Sequence, residues 1–411
     1  MVRESMHGVW LGSRRVGAIH QRGDHTRFVL DDDYRRDPER PVLGLIFEQD
    51  LLRPHAAALR LPPWFSNLLP EGLLKEWIAD DRGVSIDREM ELLIQVGHDL
   101  PGAVRVVTED SNKIRDLWET NALETSLWPP GATEEHPGWR FSLAGVQLKF
   151  SMISDRDRLT LPAFGEGGDW IVKLPDREYS DVPLNEYAMM SLARSVGIDV
   201  PDLKLVHRDA IAGLPDRVWP RGEEWAYAVR RFDRDGSRAR IHIEDLAQVC
   251  NLYPDRKYSG NYESIAALVY RRHDIAALAE FARRLTFIVL IGNGDAHLKN
   301  WSLIYRNPRM PTLSPAYDLV STAHYRSGGV PENLGLRFGG SKLFDRINVR
   351  TFERLERKLS AERANLAEQV ADTVRRVLDE WPRYEHLLKS NGALRKSIGD
   401  SIDCRAKTLL R

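Results

Sequence analysis

Polar residues between positions 292 and 318 constrain this chain more than any other feature. The run Gly292-Asn-Gly-Asp-Ala-His-Leu-Lys-Asn300 places Asp295 and Asn300 five residues apart, and Asp318 adds a second carboxylate. A transferring phosphoryl group spreads negative charge over its oxygens, so a protein mainly supplies a metal ion, cations and alignment. Carboxylate and amide oxygens suit Mg²⁺, which keeps several of its waters. The spacing therefore predicts a phosphoryl-transfer centre.

The three polar residues match known roles in phosphoryl transfer. In protein kinases a loop Asp accepts the proton of the substrate hydroxyl, an Asn five residues later holds Mg²⁺, and another Asp holds Mg²⁺ between the phosphates. Asp295, Asn300 and Asp318 fit these roles in that order. His297 either contacts the γ-phosphate or packs inside the loop. Taken alone, the Asn-Gly-Asp sequence is equally typical of a turn followed by a short helix that Asn300 caps.

The flanking segments favour the catalytic interpretation. Apolar residues recur at helical spacing through 276–289 and end at Gly292, which predicts a buried helix running into the loop. Residues 301–305 predict a short strand, and residues 313–318 return the second carboxylate to the loop. A helix, a polar loop, a hairpin and an Asp in this order are the organisation of a kinase C-lobe.

A cation for the nucleotide phosphates is found upstream. Trp170-Ile-Val-Lys173 predicts a strand that ends in a lysine. Asn185 is predicted to cap a helix that ends at Gly197, and Glu186 on this helix is placed to pair with Lys173. A lone strand lysine is more often a solvated or salt-bridged residue, but the acidic partner and the downstream triad favour a role at the nucleotide.

Together these segments resemble the HipA-type serine/threonine kinases, the toxin components of bacterial toxin–antitoxin systems. The resemblance extends over almost the whole chain. It rests on residues 64–72 and 96–103 for the N-terminal subdomain, the segment from Ser142 to residue 150 for the glycine-containing loop, Asn185-Glu186-Tyr187 for the small-lobe helix, Arg231-Phe232-Asp233-Arg234 for the hinge, and 294–300 for the catalytic loop.

The resemblance implies an α+β fold, namely a divergent protein-kinase-like bilobal fold with an extra N-terminal α+β subdomain and a mostly helical C-lobe. The expected units are the N-terminal subdomain at 1–105, a connecting segment at 106–138, the nucleotide-binding small lobe at 139–232 and the helical C-lobe at 233–411. Hydrophobic patterning adds a strand over 43–47 and helices around Leu73 and Met90. It also predicts a tail helix from Leu366 that Pro382 stops.

The resemblance also implies a nucleotide, Mg-ATP, and a set of site residues. Asp295 and Lys173 would be catalytic, Asn300 and Asp318 would hold Mg²⁺, and Glu186 would support Lys173. The residues implied to bind the nucleotide are Ser142, Ala144, Gly145, Val146, Gln147, Lys149, Lys173, Arg230, Phe232, His297, Asn300 and Asp318.

Ser142 is, by the same resemblance, the position of inactivating autophosphorylation. A phosphate there would add negative charge to the loop that should cover the ATP phosphates, and like charges would displace the loop. Alternatively, Ser142 hydrogen-bonds its own backbone at the start of a strand. Two roles are likewise open for Lys149, which either contacts the nucleotide phosphates or is an ordinary exposed strand lysine.

The implied partners are proteins. The family phosphorylates a protein substrate, commonly an aminoacyl-tRNA synthetase, and so slows translation and growth. A small HipB-like helix-turn-helix antitoxin is expected to bind the kinase and anchor it at operator DNA. The chain shows no evident DNA-reading motif of its own, so contact with DNA would be indirect.

Composition agrees with a cytoplasmic enzyme. The 59 basic and 60 acidic residues nearly cancel, which argues against an electrostatic nucleic-acid binder. The two cysteines, Cys250 and Cys404, are far apart without metal-ligand spacing, which indicates a reducing compartment. No apolar run has membrane-spanning length, so no membrane partner is expected.

Two other functions stay open. A small-molecule or lipid kinase would use almost the same triad of Asp, Asn and Asp. A catalytically inactive co-repressor scaffold could keep the fold, although intact Asp295, Asn300, Asp318 and Lys173 argue against it.

Overall fold

The computed structural model describes residues 4–109, 148–155, 158–160, 167–212, 214, 218–220, 222–325 and 332–411, and these form an α+β fold. The strands are β1 (Glu4–Leu11), β2 (Arg14–Arg22), β3 (His25–Leu30), β4 (His55–Ala58), β5 (Val104–Thr108), β6 (Lys149–Asp155), β7 (Arg158–Thr160), β8 (Trp170–Lys173), β9 (Leu203–His207), β10 (Ile211–Ala212), β11 (Trp225–Arg230), β12 (His242–Asp245), β13 (Ser302–Asn307) and β14 (Met310–Leu313). The α-helices are α1 (Asp32–Arg36), α2 (Pro63–Ser66), α3 (Gly72–Arg82), α4 (Glu89–Val96), α5 (Val182–Ser195), α6 (Leu246–Val249), α7 (Tyr262–Tyr270), α8 (Ile275–Ile291), α9 (Val349–Leu359), α10 (Leu366–Tyr384) and α11 (Gly392–Leu409).

The N-terminal unit is built on a five-stranded sheet in the order β4-β3-β2-β1-β5, with a hydrophobic core of its own. The helices predicted around Leu73 and Met90 are confirmed as α3 and α4. The strand predicted over 43–47 is wrong. The backbone N–H of Leu43 donates to the Tyr34 hydroxyl, that of Leu45 to Glu244 and that of Phe47 to the Gly44 carbonyl, so this segment pairs with no described strand.

A second sheet, in the order β10-β7-β6-β8-β11-β9, forms the small lobe. Helix α5 packs against β11 and β9 of this sheet. The helix begins at Val182, with Asp181 in the cap position, so the predicted cap at Asn185 is wrong. Pro183 explains the earlier start, because proline is tolerated in the first helical turn, where the N–H has no partner. Asn185 instead bonds the backbone of Ser321.

The C-lobe is mostly helical around a large hydrophobic core, with a three-stranded sheet β12-β13-β14. The predicted buried helix is confirmed as α8, and it ends at Gly292, whose φ of +68° is the left-handed conformation that glycine adopts easily. The predicted stop at Pro382 is wrong, since α10 continues to Tyr384. Proline near a helix end removes only one backbone hydrogen bond, and Trp381 holds this turn against the core.

Buried polar contacts join the N-terminal unit to both lobes. Asp99 and Asp233 lie between the guanidinium groups of Arg231 and Arg234, with nitrogen–oxygen distances of 2.8–2.9 Å. Glu244 of β12, fully buried, accepts hydrogen bonds from the Leu45 backbone, Trp64 and Tyr305. These contacts fix the N-terminal unit against the loops that carry the candidate site. No described helix is both long and apolar enough to cross a membrane.

Candidate active site

Lys173, at the end of β8, is the centre of a buried charge cluster. Its Nζ donates to Glu186 Oε1 at 2.5 Å and also to Asp318 Oδ1. Loss of water on burial would lower the pKa of Lys173, but the carboxylates of Asp318 and Glu186 outweigh burial and raise this pKa above its usual range. Lys173 is therefore a permanent cation at physiological pH, and residues from β8, α5 and the C-lobe converge on it.

The two carboxylates of this cluster titrate differently. Burial raises the pKa of Glu186 to about 7, although Lys173 opposes the shift. Burial would also raise the pKa of Asp318, yet Lys173 and Lys149 lower it to about 2. Asp318 has a φ of +55°, in the left-handed region, which Asp adopts more readily than most residues other than glycine. Asp318 thus stays ionised and oriented.

Asn300 lies beside Asp318 and fits a magnesium ligand. Its Nδ2 donates to Asp318 Oδ2 at 3.2 Å, while its Oδ1 is buried and has no hydrogen-bond partner among the described residues. A buried oxygen without a donor is costly unless a cation or water meets it. The described part of the chain contains no cluster of three His, Cys, Asp or Glu side chains that could hold a metal ion. The amide oxygen of Asn300 and the carboxylate of Asp318 are oxygen ligands of the kind that suit a hard ion, which keeps several waters.

Asp295 lies in the loop after α8 and its side chain is exposed. Its backbone N–H donates to Asn293 Oδ1 at 2.9 Å, and Asn293 Nδ2 donates to the Asp318 carbonyl at 3.2 Å. The hydroxyl of Tyr258 donates to Asp295 Oδ1. Asn293 thus ties the position of Asp295 to that of Asp318, and the Asp295 carboxylate already accepts a hydrogen bond from a hydroxyl group.

His297 is a buried residue of this loop and packs edge-on against Tyr258, with ring centroids 5.0 Å apart. Burial lowers the pKa of His297 to about 4, so the ring is neutral at pH 7. Its Nδ1 has no partner among the described residues. His297 is thus packed inside the loop, one of the two positions predicted for it, and its unpaired Nδ1 leaves room for a ligand contact.

Lys149 reaches the same cluster from the neighbouring strand. It lies directly opposite Lys173 in the antiparallel pair β6–β8, and Tyr227 lies opposite Lys173 on β11. Desolvation and the charge of Lys173 lower the pKa of Lys149, whereas Asp318 opposes the shift. Lys149 itself keeps solvent contact. Lys149, Lys173 and Tyr227 therefore form a row across β6, β8 and β11, in which the ammonium group of Lys173 is buried and that of Lys149 is exposed.

The predicted nucleotide-binding residues Arg230 and Phe232 do not lie within the charge cluster of Lys173. Arg230 is three positions from Tyr227 on β11, so its side chain lies on the opposite face of the sheet from Lys173. It pairs with Asp202 at 3.6 Å. The structure does not bring the Arg230 side chain to the charge cluster, which leaves only its backbone available there. Phe232 packs on Tyr317, the residue before Asp318, with centroids 5.5 Å apart.

The predicted glycine-containing loop belongs to a part of the chain that the structure does not describe. Ser142, Ala144, Gly145, Val146 and Gln147 lie outside the described residues.

Sequence reasoning missed three residues that reach the site. Asn293 and Tyr258 contact Asp295, and Glu71 of the N-terminal unit contacts Lys299 of the predicted catalytic loop at 3.1 Å. Asn293 stands inside the conspicuous run and could have been chosen. Glu71 lies in the segment 64–72 that carries the family resemblance, but nothing in the sequence placed it near the loop, and Tyr258 comes from a distant segment without a spacing signal.

Comparison with known proteins decides the family. The HipA N-terminal domain family matches residues 7–107, and the HipA-like C-terminal domain family matches residues 141–381, more than half of the chain. The chain belongs to the HipA family. The HipA-family chain is also 42% identical over 395 residues to a protein of Sinorhizobium fredii named "Putative kinase Y4dM", covering 93% of this chain and 92% of the relative.

More distant HipA proteins are similar as well. The "Serine/threonine-protein kinase toxin HipA" of Shewanella oneidensis is 28% identical over 293 residues, with 63% of this chain and 62% of that protein covered. This chain superposes on a chain from the solved complex of Shewanella oneidensis HipA, HipB and operator DNA with a TM-score of 0.74 at 21% identity. The match covers 98% of this chain and 97% of that chain. The HipA-family chain therefore has the kinase-like α+β fold predicted for it.

Proposed function

We propose that this protein is an ATP- and Mg²⁺-dependent serine/threonine protein kinase that acts as the toxin of a HipA/HipB-like system. The observation that carries the proposal is the convergence of Lys173, Glu186, Asp318 and Asn300 beside an exposed Asp295. Permanent positive charge, hard oxygen ligands and an accessible carboxylate are what phosphoryl transfer requires. The named kinases among its relatives support the same reaction.

In the proposed reaction, Asp295 orients the substrate hydroxyl and accepts its proton. The hydroxyl oxygen forms a bond to the γ-phosphorus of ATP, the bond from that phosphorus to the β,γ-bridging oxygen breaks, and ADP leaves. Lys173, held in place by Glu186, stabilises negative charge on the phosphates. Lys149 adds a second cation at the solvent side of the same row.

Asn300 and Asp318 would hold the metal ion. Mg²⁺, when bound, neutralises the phosphate oxygens on which charge develops. Asn300 Oδ1 is buried and unpaired among the described residues, and Asp318 stays ionised because Lys173 and Lys149 keep its pKa at about 2. His297, neutral at pH 7, braces the loop between these groups. Phe232 and the backbone at Arg230 would border the adenine side.

The biological part of the proposal rests on the family. We take the substrate to be a protein of translation, most simply an aminoacyl-tRNA synthetase, whose phosphorylation arrests growth. Autophosphorylation at Ser142 would inactivate the enzyme. A HipB-like helix-turn-helix antitoxin would bind it and link it to operator DNA in the reducing cytoplasm. The solved Shewanella oneidensis complex of HipA, HipB and operator DNA supports such a partner.

The decisive experiment is phosphate transfer by the purified full chain. With [γ-³²P]ATP and Mg²⁺, we expect label in the protein itself and in one protein of a cell extract. Asp295→Asn should abolish both signals, whereas Asp345→Asn, which changes an exposed Asp of the C-lobe, should keep them. Mass spectrometry should locate the internal label at Ser142 and identify the external target.

The two other functions give different results in the same assay. A small-molecule or lipid kinase would label a metabolite or lipid fraction and no cellular protein. A scaffold without activity would neither hydrolyse ATP nor transfer phosphate at any Mg²⁺ concentration.

A further inference from the structure

A carboxylate of the N-terminal unit reaches into the catalytic loop. Glu71 precedes α3, more than 200 residues before the loop in sequence. Its Oε1 lies 3.1 Å from the Nζ of Lys299, and its Oε2 lies 2.9 Å from the Nζ of Lys257. All three side chains are at least three-quarters buried, with exposed fractions of 23%, 13% and 20% for Glu71, Lys299 and Lys257. One carboxylate therefore joins two lysines from different loops.

Each lysine is next to a residue of the candidate site. Lys299 precedes Asn300, whose amide contacts Asp318. Lys257 precedes Tyr258, whose hydroxyl donates to Asp295. The two loops are joined as well, since the Leu298 backbone N–H donates to the Lys257 carbonyl at 3.1 Å. Glu71 thus acts on the loop segments that carry the proposed base and one proposed metal ligand.

The acceptors around Lys299 show that this lysine is committed to structure. Its Nζ donates to the Asn67 carbonyl and to Asn67 Oδ1, both at 3.0 Å, and it lies 3.3 Å from Asp245 Oδ2. An ammonium group has three N–H donors, and Glu71, Asn67 and Asp245 supply acceptors for all of them. The catalytic-loop lysine therefore points to the N-terminal unit and the end of β12, and it has no donor left for a nucleotide phosphate.

The charges of this contact are strongly coupled. Burial disfavours the ionised form of Glu71, but Lys299 and Lys257 outweigh it and lower the pKa of Glu71 to about 2. Without this carboxylate, Lys257 would lose its nearby anion and Lys299 would keep Asp245. Buried ammonium groups that lose a counter-charge move toward water or reposition their loop.

We propose that Glu71 is a positioning residue of the active site, through which the N-terminal unit holds the catalytic loop and the Tyr258 loop in their working geometry. This inference rests on the proposed kinase function. It assigns the N-terminal unit a role in catalysis in addition to any binding of partners. Because transfer needs the hydroxyl, base and metal ligands aligned within a fraction of an ångström, a small displacement of this loop lowers the rate strongly.

The test compares Glu71→Gln with a matched control, Glu89→Gln. Glu89 is a buried carboxylate of the same unit that bonds the Leu61 backbone at 2.9 Å, Ser66 at 3.0 Å and Lys75 at 3.4 Å, and it contacts no catalytic-loop residue in the described structure. For Glu71→Gln we expect kcat to fall roughly 10- to 100-fold with the KM for ATP and the stoichiometry of ATP binding unchanged. Glu89→Gln should keep kcat per nucleotide-binding site.

Hydrogen exchange supplies a readout that does not depend on activity. In Glu71→Gln, peptides covering 294–300 and 254–260 should exchange faster, while peptides of β1–β3 keep their protection. Glu71→Asp, which retains the charge on a shorter side chain, should restore part of kcat and part of the protection.

The outcomes separate this inference from the proposed function. If the wild-type chain transfers no phosphate, the proposed function fails. Unchanged hydrogen exchange at 294–300 in Glu71→Gln would, independently of any activity, overturn the proposal that Glu71 holds the loop in place. If the wild-type is active and Glu71→Gln keeps its kcat, Glu71 is not a positioning residue. Equal losses of ATP-binding sites in Glu71→Gln and Glu89→Gln would also overturn the proposal, because they would show only a damaged fold.

Discussion

Lys149 and Lys173 face each other directly across two antiparallel strands, β6 and β8, with Asp318 as their shared carboxylate. Like charges at directly opposed positions of a sheet destabilise it. Glu186 contacts Lys173 at 2.5 Å, and no described carboxylate forms an ion pair with the exposed Lys149, so the two ammonium groups share the charge of Asp318. The two adjacent ammonium groups of Lys149 and Lys173 are suited to bind a polyanion such as the triphosphate of a nucleotide.

The first prediction concerns this lysine pair. Lys149→Met should weaken ATP binding about 10-fold, equivalent to about 1.4 kcal/mol, because one cation of the row is lost. The same change should leave the nucleotide-free protein equally stable or raise its unfolding free energy by up to about 1 kcal/mol, since the repulsion disappears. Calorimetric titration with a non-hydrolysable ATP analogue and urea unfolding measure the two effects.

Lys204→Met is the control for this experiment. Lys204 lies on β9 of the same sheet, opposite Ala228, and so projects from the face opposite to Tyr227 and Lys173. Its replacement should not change ATP affinity, and an equal loss in both variants would contradict a specific phosphate site at Lys149.

The second prediction concerns the metal ion. Asn300→Ala should raise the Mg²⁺ concentration for half-maximal phosphate transfer at least about 10-fold, because a buried oxygen suited to Mg²⁺ is removed. Chelation of Mg²⁺ by EDTA should abolish transfer by the wild-type chain. Binding of the ATP analogue in EDTA should be the same in both proteins, and a normal Mg²⁺ dependence in Asn300→Ala would remove this residue from the metal site.

The third prediction concerns the buried charge network at the hinge. Asp233 contacts Arg231 and Arg234, and all three side chains are less than 8% exposed. Asp233→Ala leaves two buried guanidinium groups with only Asp99 between them, so we expect the unfolding free energy to fall by about 3–5 kcal/mol. Thermal and urea denaturation would measure this loss.

Asp202→Ala provides the matched comparison. Asp202 also faces two arginines, Arg194 and Arg230, each at 3.6 Å, but its side chain is 63% exposed. An exposed pair contributes only about 0.2–1 kcal/mol, so this variant should be nearly as stable as the wild-type chain. Equal effects of the two substitutions would show that burial does not control the strength of the hinge network.

The fourth prediction concerns the pH dependence of stability. His242 is buried between β12 and the N-terminal unit, with Nε2 2.7 Å from the Leu43 carbonyl and Nδ1 unpaired among the described residues. Burial lowers the pKa of His242 to about 4. Between pH 6.5 and 4 the unfolded chain therefore binds more protons than the folded chain at this residue, so its contribution makes stability fall as the pH falls.

The contribution of His242 to the pH dependence of the unfolding free energy can be measured by comparison with His242→Gln. Between pH 7 and pH 5 the wild-type chain should lose roughly 2 kcal/mol more unfolding free energy than His242→Gln, which cannot titrate in this range. The comparison also cancels Glu244, whose pKa of about 7, raised by burial, shifts stability in the opposite direction. Parallel pH profiles of the two proteins would contradict the prediction.

Much of the architecture could be predicted from local patterns. The apolar repeat through 276–289 specified α8 and its end at Gly292, because helical periodicity and a left-handed glycine are local properties. Strand β8, which ends at Lys173, was likewise predicted from the local sequence and is confirmed. The failures at Asn185 and Pro382 arose from distant partners, because Asn185 bonds the backbone of Ser321 and Trp381 packs the last turn of α10 against the core.

The sequence by itself determined the set of residues predicted to carry the chemistry, because Asp295 and Asn300 lie five positions apart in one loop and Asp318 follows the next hairpin. Only the tertiary structure decided how Lys173 meets Asp318, and that Glu71 reaches Lys299 from a separate unit. These contacts join residues more than 140 positions apart, and the burial that makes their charges strong arises only when the units pack together.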